Sequence, residues 1–224
     1  DVDSIVLATN VDATMTISQH DKITSAAGTN KVTLTDADTF NANSDVEEYV
    51  LAAAGGSTIT LTHLGQSVTT GANNADTIDF ASLIATGTFT TVADDIIKIG
   101  DSGNISGVTV GGVVGAPFTA TNVTLVNDAS VTMTAEQHNG FTGTVTAGGV
   151  GTAEQITLTT TGTVTGEAVI ETYVLGGTGN TFTLGATTQS VDTGTGGTNT
   201  IDFAGLTATG TITTQTSDII KIDT

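Results

Sequence analysis

Apolar and polar residues alternate along this chain in short runs bounded by turn residues. VTLT at 32–35 and TFTL at 181–184 show a period of two, which places threonines on one face and apolar side chains on the other. Such runs recur roughly every nine or ten residues, separated by Gly, Asn, Asp and Ser. No stretch has a convincing helical stripe, so the pattern predicts an all-β chain of short strands. The apolar positions of these runs include Met15, Leu34, Leu61, Phe89 and Leu184.

The chain contains one sequence unit twice. Three motifs recur in the same order: ATMTISQH and VTMTAEQH (13–20 and 131–138), TIDFASL and TIDFAGL (77–83 and 200–206), and DIIKI twice (95–99 and 218–222). Met15 and Met133 give an offset of 133 − 15 = 118 residues. We therefore predict repeat unit 1 at 1–106, an apolar connecting stretch at 107–122 and repeat unit 2 at 123–224.

Composition and strand count favour one architecture. With 28 Gly, 4% aromatic residues and no Trp, the chain has few large side chains for a thick core. Each unit offers more strands, and shorter ones, than the roughly seven of a β-sandwich. We predict a right-handed parallel β-solenoid, with two strands per turn and a rod of roughly 50 Å. Two tandem β-sandwich domains are the alternative.

Glycine-rich segments precede several strands. Three of these segments resemble degenerate forms of the nonapeptides of repeats-in-toxin proteins. They are GGTGNTFTLG at 176–185, DTGTGGTNTIDFAGL at 192–206 and GANNADTIDF at 71–80. The resemblance implies glycine turns followed by short strands, with calcium bound in the turns. The turn positions of the first segment are matched by Gly176, Gly177, Gly179 and Asn180, and the family's aspartate is matched by Asp76.

The overall style of the sequence carries a second resemblance. A chain rich in Thr, Ala and Gly, acidic and free of Cys is similar to the secreted surface-layer and adhesin proteins that leave Gram-negative bacteria by type I secretion. This resemblance implies an extracellular, cell-surface location. Zero Cys excludes disulfides and thiol catalysis. No apolar run approaches the 18 residues of a membrane span, so we expect no membrane insertion.

The net charge of the chain limits the classes of partner that it can bind. The 23 acidic residues against 4 lysines give a formal net charge of −19, which repels phosphate backbones and argues against nucleic-acid binding. Calcium would relieve this repulsion through oxygen ligands. The alternative is that the carboxylates form a solvated surface or cap turns. The candidate calcium ligands are Asp76, Asp79, Asp95, Asp202 and Asp218.

The duplicated Gln-His pair closes the octapeptides at 13–20 and 131–138. Each unit supplies one such histidine and no cysteine, which is too few ligands for zinc. We expect Gln19, His20, Gln137 and His138 to hydrogen-bond exposed backbone at a corner of the solenoid.

Catalytic signatures are missing from the sequence. It contains no G-x-S-x-G, no phosphate-binding G-x-x-x-x-G-K-[ST] and no H-E-x-x-H motif, so we predict that the chain is not an enzyme. A carbohydrate-active β-helix enzyme is one alternative, because such enzymes use clustered carboxylates beside aromatic platforms. The nearest equivalent is the set Glu47, Glu48, Tyr49, Glu171 and Tyr173. We expect packed tyrosines with solvated glutamates there instead.

Thr-x-Thr pairs suggest a further alternative, an ice-binding solenoid. Such pairs occur at 14 and 16, 33 and 35, 58 and 60, and 181 and 183. Threonine also fills exposed strand positions simply because it forms strands well. The TIDF and IIKI segments interrupt the pairs, whereas an ice-binding array needs them in consecutive turns.

The function that these observations favour is structural. We expect a non-catalytic module of an extracellular bacterial surface protein, in a surface layer, adhesin stalk or filament, with calcium as a candidate stabiliser and a surface glycan as a candidate ligand. The chain opens on DVDSIVLA and closes on IIKIDT, and neither segment looks like a cap. Open strand edges pair with other chains, so we expect end-to-end or lateral self-association.

Overall fold

The structure is a computed structural model that describes residues 2–72, 75–148 and 153–222. Over these residues the chain forms a right-handed parallel β-solenoid of about 11 turns. Strands of successive turns pair in parallel, because each turn returns the chain to the same face one strand spacing further along. The predicted solenoid is confirmed. The alternative of two sandwiches is wrong, since sandwiches are built from antiparallel sheets.

The two repeat units contain corresponding strands in the same order. The first unit comprises β1 (Ile5–Leu7), β2 (Asp12–Met15), β3 (Ile23–Ala26), β4 (Lys31–Leu34), β5 (Thr39–Asn41), β6 (Glu48–Val50), β7 (Thr58–Thr60), β8 (Ser67–Thr69), β9 (Thr77–Asp79), β10 (Thr88–Thr90) and β11 (Ile96–Ile99). The connecting stretch contributes β12 (Thr109–Val110) and β13 (Val113–Val114). The second unit comprises β14 (Asn122–Leu125), β15 (Ser130–Met133), β16 (Val145–Thr146), β17 (Gln155–Leu158), β18 (Thr163–Thr165), β19 (Thr172–Leu175), β20 (Thr181–Thr183), β21 (Ser190–Asp192), β22 (Thr200–Asp202), β23 (Ile212–Thr213) and β24 (Ile219–Lys221).

Alternate strands stack on two faces of the rod. One sheet contains β2, β4, β6, β8 and β10 of the first unit, followed by β12 and β13 of the connecting stretch. The other contains β5, β7, β9 and β11 of the first unit. The second sheet continues across the unit boundary through β14 and β16. The second unit repeats the arrangement, with one sheet of β15, β17, β19, β21 and β23 and another of β18, β20, β22 and β24. β1 pairs with β3 as β14 pairs with β16.

The core is a narrow channel filled by one inward side chain after another. The period of two along each strand directs alternate residues inward, and parallel pairing without slippage stacks like on like. Ile59, Ile78 and Ile97 occupy one such column and are completely buried. The flanking threonines lie outside, as the sequence predicted.

Two short helices, α1 (Ile17–His20) and α2 (Ala135–Gly140), interrupt the strands. Each follows a threonine, Thr16 or Thr134, whose hydroxyl accepts the backbone N–H of the glutamine three residues later. That glutamine's side-chain oxygen accepts the threonine N–H in return. This is a capping box, and the T-x-x-Q spacing was a signal for it that the search for helical stripes missed.

The apolar connecting stretch packs as part of the rod. Val108 and Phe118 are buried, and the Phe118 ring stacks on that of Phe141 with centroids 6.1 Å apart. Between them, β12 and β13 form an antiparallel hairpin turned by two glycines with positive φ. Val113 and Val114 on this hairpin are exposed.

Candidate functional site

Polar side chains fill the corners of the solenoid, in a set that we name the corner ladder. Each member stands immediately before a strand and hydrogen-bonds to the backbone of the preceding turn, so it meets the need of buried N–H and C=O groups for partners. The members are Asn30, Glu47, Gln66, Asp76, Asp95, Glu154, Glu171, Asn180, Gln189, Asn199 and Asp218.

Asp76 and Asp95 are consecutive members of the corner ladder. Asp95 Oδ1 accepts the N–H of Asp76 at 2.9 Å, and its Oδ2 accepts the Thr70 hydroxyl at 2.6 Å. Asp76 in turn accepts the N–H groups of Ser57 and Gly71 at 2.6 and 2.8 Å. Burial raises the pKa of Asp76, the two N–H groups oppose the rise, and the charge of Asp95 adds to it.

The second unit builds the same corner with one acid fewer. Asn199 occupies the position of Asp76, and Asp218 that of Asp95. Asp218 accepts the N–H of Asn199 at 2.8 Å and the hydroxyl of Thr193 at 2.6 Å. Burial acts to raise the pKa of Asp218, but hydrogen bonds from Thr193, Gln215 and Asn199 outweigh it and leave the pKa below its usual range. The corner therefore works with an amide in place of a carboxylate.

Asp79 and Asp202 lie on an outward strand face and pair with lysines. Lys98 Nζ lies 2.6 Å from Asp79 Oδ2, directly across from it in the ladder of β9 and β11. Lys221 makes the same contact with Asp202 at 2.6 Å. The hydrogen bond from Lys221, followed by that from the Ala204 N–H, lowers the pKa of Asp202.

These positions do not assemble a cage of oxygen ligands. The structure brings Asp76 and Asp95 together but leaves Asp79 and Asp202 with lysines, and every one of the five carboxylates already accepts protein donors. Within 2–72, 75–148 and 153–222, no three acidic, histidine or cysteine side chains are placed to hold a metal ion. Asn73 and Asn74 of the calcium-repeat-like segment lie outside these ranges. The residues present do not fit a ready-made calcium site, and calcium binding stays a prediction.

Two glutamates of the corner ladder meet in the second unit. Glu171 Oε2 accepts the N–H of Glu154 at 3.1 Å, and the Glu154 side chain is fully buried. Burial raises the pKa of Glu171, and the contact with the Glu154 carboxyl raises it further. In the first unit the same positions are Asn30 and Glu47, with an amide in place of the first carboxyl. The second unit thus has two adjacent acids, Glu154 and Glu171, where the first unit has an amide and one acid.

Both histidines of the Gln-His pairs are buried against tyrosines. His20 Nε2 lies 3.1 Å from the Tyr49 hydroxyl, and His138 Nε2 lies 3.1 Å from that of Tyr173. The Tyr173 hydroxyl also accepts the N–H of Glu167 at 2.8 Å, so its own proton is directed to the histidine. Burial lowers the pKa of both histidines, that of His138 to about 4. The expectation of histidines on exposed backbone was wrong.

The tyrosine and glutamate set does not form a catalytic groove. Tyr49 and Tyr173 are packed inside the rod, as expected, and face histidines. The expectation of solvated glutamates was wrong for Glu47 and Glu171, whose carboxylates accept backbone N–H groups of the preceding turn. Glu48 lies 3.5 Å from the ammonium group of a lysine in β4.

Threonines do form outward ladders, but short ones. Thr39, Thr58 and Thr77 stack in register on one face, and the next strand places Ile96 in the column. The second unit repeats this with three threonines followed by Ile219. The adjacent column contains the Asp–Lys pairs, so the threonine array is interrupted as the sequence indicated.

Sequence reasoning missed three structural roles. It did not find Glu154, nor the glutamines Gln66 and Gln189, whose amide groups each bridge two turns of backbone. A polar residue immediately before each alternating run is the signal that would have found them.

Comparisons of this chain with protein-family models, with curated proteins and with solved structures gave no match. None of the helices in the part of the chain that the structure describes is long and apolar enough to cross a membrane.

Proposed function

We propose that this chain is a non-catalytic structural module of an extracellular bacterial surface protein, a rigid rod segment that self-assembles in a surface layer, adhesin stalk or filament. The observation that carries the proposal is the corner ladder. Its side chains, which include the most deeply buried acids, are engaged in joining one turn to the next. Asp76 and its counterpart Asn199 both accept a backbone N–H of the preceding turn, as expected of a structural role.

Duplication supports the same function. A solenoid gains length by adding turns, and each added turn buries the apolar edge of the previous one. The junction of the two units continues one sheet from β11 into β14 without a break in register. The net charge of −19 keeps such a rod soluble and repels other polyanions.

The test is the state of assembly of the purified chain. We expect sedimentation velocity and negative-stain electron microscopy to show rods or sheets that grow with protein concentration. A strictly monomeric particle at high concentration, in low and high salt and with and without calcium, would overturn the proposal. So would glycan cleavage that is lost in Glu171→Gln, which would point to an enzyme.

A further inference from the structure

Four large apolar side chains are exposed at one corner of the rod, in a group that we name the apolar corner. Leu64 is 50% exposed, Ile84 64%, Val113 59% and Val114 67%. They lie in consecutive passes of the chain through this corner, which lead into β8, into β10 and then into β12 and β13 of the same sheet. Single exposed apolar residues are ordinary on a protein surface, but a group of them indicates an interaction site.

Backbone contacts place these passes side by side. The N–H of Thr86 donates to the carbonyl of Leu64 at 2.7 Å. Ile84 forms an isolated parallel bridge with Asn104 of the following turn. β13, with its two valines, then pairs with β12 of that turn. The apolar corner therefore runs along the rod axis over about three strand spacings, roughly 14 Å.

The second unit has threonines where the first unit has the leucine and the isoleucine. In the repeat alignment Thr187 is the counterpart of Leu64, and Thr207 is the counterpart of Ile84. The backbone of the corner is nevertheless the same, because the N–H of Thr209 donates to the carbonyl of Thr187 at 2.7 Å. The corner thus folds without large apolar side chains, and folding does not account for their presence in the first unit.

The segments that form the apolar corner are uncharged, although the chain as a whole is strongly acidic. Segments 49–75, 80–93 and 102–127 contain no Asp, Glu, Lys or Arg, whereas the formal net charge of the chain is −19. Two copies of this chain repel each other wherever their acidic surfaces meet. They can approach most closely where both surfaces are uncharged. A basic partner would instead be drawn to the acidic surfaces, so the charge distribution favours a second copy as the occupant.

We propose that the apolar corner binds the apolar corner of a second copy of this chain, with the two rods side by side and antiparallel. Leu64 and Ile84 of one copy then face Val113 and Val114 of the other, and a two-fold axis repeats the contact. This inference rests on the proposed self-assembling function and specifies its lateral contact surface. It uses only residues within the rod and is independent of the first and last strands.

The shape of the β12–β13 hairpin supports this arrangement. No atom lies within 4 Å of the side-chain positions of Gly111 and Gly112 at its turn, so the hairpin projects from the rod. The hairpin of one copy can therefore reach the surface around Ile84 of the other. A contact of this size belongs to the weak class, below roughly 1,200 Å² of buried surface. We expect dimers only at high protein concentration.

The first experiment copies the threonines of the second unit into the first. The double variant Leu64→Thr and Ile84→Thr loses apolar area twice in a two-fold contact, so we expect the dimer dissociation constant from sedimentation equilibrium to rise at least about tenfold. Val6→Thr is the matched control, because Val6 is 68% exposed on β1 and lies outside the apolar corner. The control should leave dimerisation unchanged, and urea unfolding should be unaffected in both proteins. If the double variant is less stable, Val114→Thr repeats the test on the hairpin.

Salt separates an apolar contact from an ionic one. Raising the salt concentration from about 0.05 M to about 0.5 M screens the repulsion between the two acidic chains. We therefore expect dimerisation to become tighter over this range. Weaker dimerisation at high salt would show that ion pairs hold the copies together, and it would overturn the inference.

Cross-linking tests the antiparallel arrangement. The chain has no cysteine, so introduced thiols are the only ones present. A short bismaleimide should join Ile84→Cys to Val114→Cys in a mixture more efficiently than it joins either variant to itself, because antiparallel rods bring unlike ends of the apolar corner together. Equal or greater linking within the Ile84→Cys variant alone would overturn the antiparallel arrangement.

The outcomes distinguish this inference from the proposed function. If the wild-type chain assembles and the threonine variants assemble equally well, the inference is overturned while the proposed function stands. If the wild-type chain stays monomeric at every protein and salt concentration, the proposed function fails and the inference fails with it.

Discussion

Nε2 of His138 lies 3.1 Å from the hydroxyl of Tyr173, inside the rod, and the first unit reproduces this contact between His20 and Tyr49. This pair explains why the Gln-His motif occurs twice. The glutamine caps a short helix, and the histidine on that helix contacts the tyrosine of a neighbouring turn. The motif marks a corner that each unit makes once.

The buried histidine makes stability dependent on pH. Burial lowers the pKa of His138 to about 4, whereas in the unfolded chain it is near 6.5. Between these two pKa values the unfolded state binds more protons than the folded state. The contribution of His138 to the free energy of unfolding is therefore complete above pH 6.5 and is lost as the pH falls towards 4. We expect a loss of about 3 kcal/mol in the free energy of unfolding from this group. Urea titrations between pH 7.5 and 4 measure it.

The matching variants are His138→Gln and His63→Gln. The first keeps an acceptor for the Tyr173 hydroxyl and removes the titration, so its stability should fall less between pH 7 and pH 4.5. His63 is exposed, so the second should retain the wild-type slope. Equal slopes in all three proteins would contradict the assignment.

The protein should become more stable when one acid of the Glu154–Glu171 pair is replaced by an amide residue, as in the first unit. Glu154→Gln replaces a buried carboxyl beside Glu171 by an amide, as Asn30 stands beside Glu47 in the first unit. We expect a gain on the order of 1 kcal/mol at pH 7, because an amide can donate to the carboxylate. The gain should shrink at low pH, where Glu171 is protonated. Chemical denaturation at pH 7 and 4.5 tests both statements, and a loss of stability at pH 7 would contradict them.

The corner ladder predicts unequal effects of two neighbouring acids. Asp95→Ala leaves the N–H groups of Asp76 and Val92 without their acceptor, and the Thr70 hydroxyl keeps only the Thr90 carbonyl at 3.3 Å. We expect a loss of about 3 kcal/mol. Asp76→Asn should cost less, on the order of 1 kcal/mol, because the amide oxygen still accepts the N–H of Ser57 and only the Gly71 N–H loses its acceptor. Thermal unfolding of the two variants decides the matter. Equal losses would show that the carboxylate at 76 has a role that an amide cannot fill.

Calcium is tested by melting the protein with and without a chelator. If calcium binds as the sequence predicts, a chelator should lower the melting temperature. An unchanged melting temperature would show that the five candidate aspartates act only through the protein donors that they already accept. Native-state binding at a hundredfold excess over the dissociation constant would add roughly 2.7 kcal/mol, a clear shift. A shift that disappears in Asp79→Asn but persists in Asp76→Asn would locate calcium on the outward face.

Much of the fold was predictable because its information is local. Alternation with a period of two placed Leu34 inward, and duplicated motifs fixed the correspondence of strands. Whether a polar residue at a corner is exposed or buried depends on the turn stacked above it, and one turn of sequence does not show that. Asp95 and His138 therefore looked like surface residues and are buried. The capping box at Thr16 was readable, but its four-residue helix is too short to show periodicity.

Duplication also sets a distance along the rod. Six rungs separate β11 from β24, which at a strand spacing of about 4.8 Å corresponds to roughly 29 Å. The Asp79–Lys98 ion pair and its counterpart, the Asp202–Lys221 ion pair, are therefore separated by this distance along the rod. A partner with two matching groups at that spacing would engage both pairs at once, and the second contact would form at a high effective concentration. The repeat thereby presents the same ion pair twice, at a spacing that the number of turns fixes.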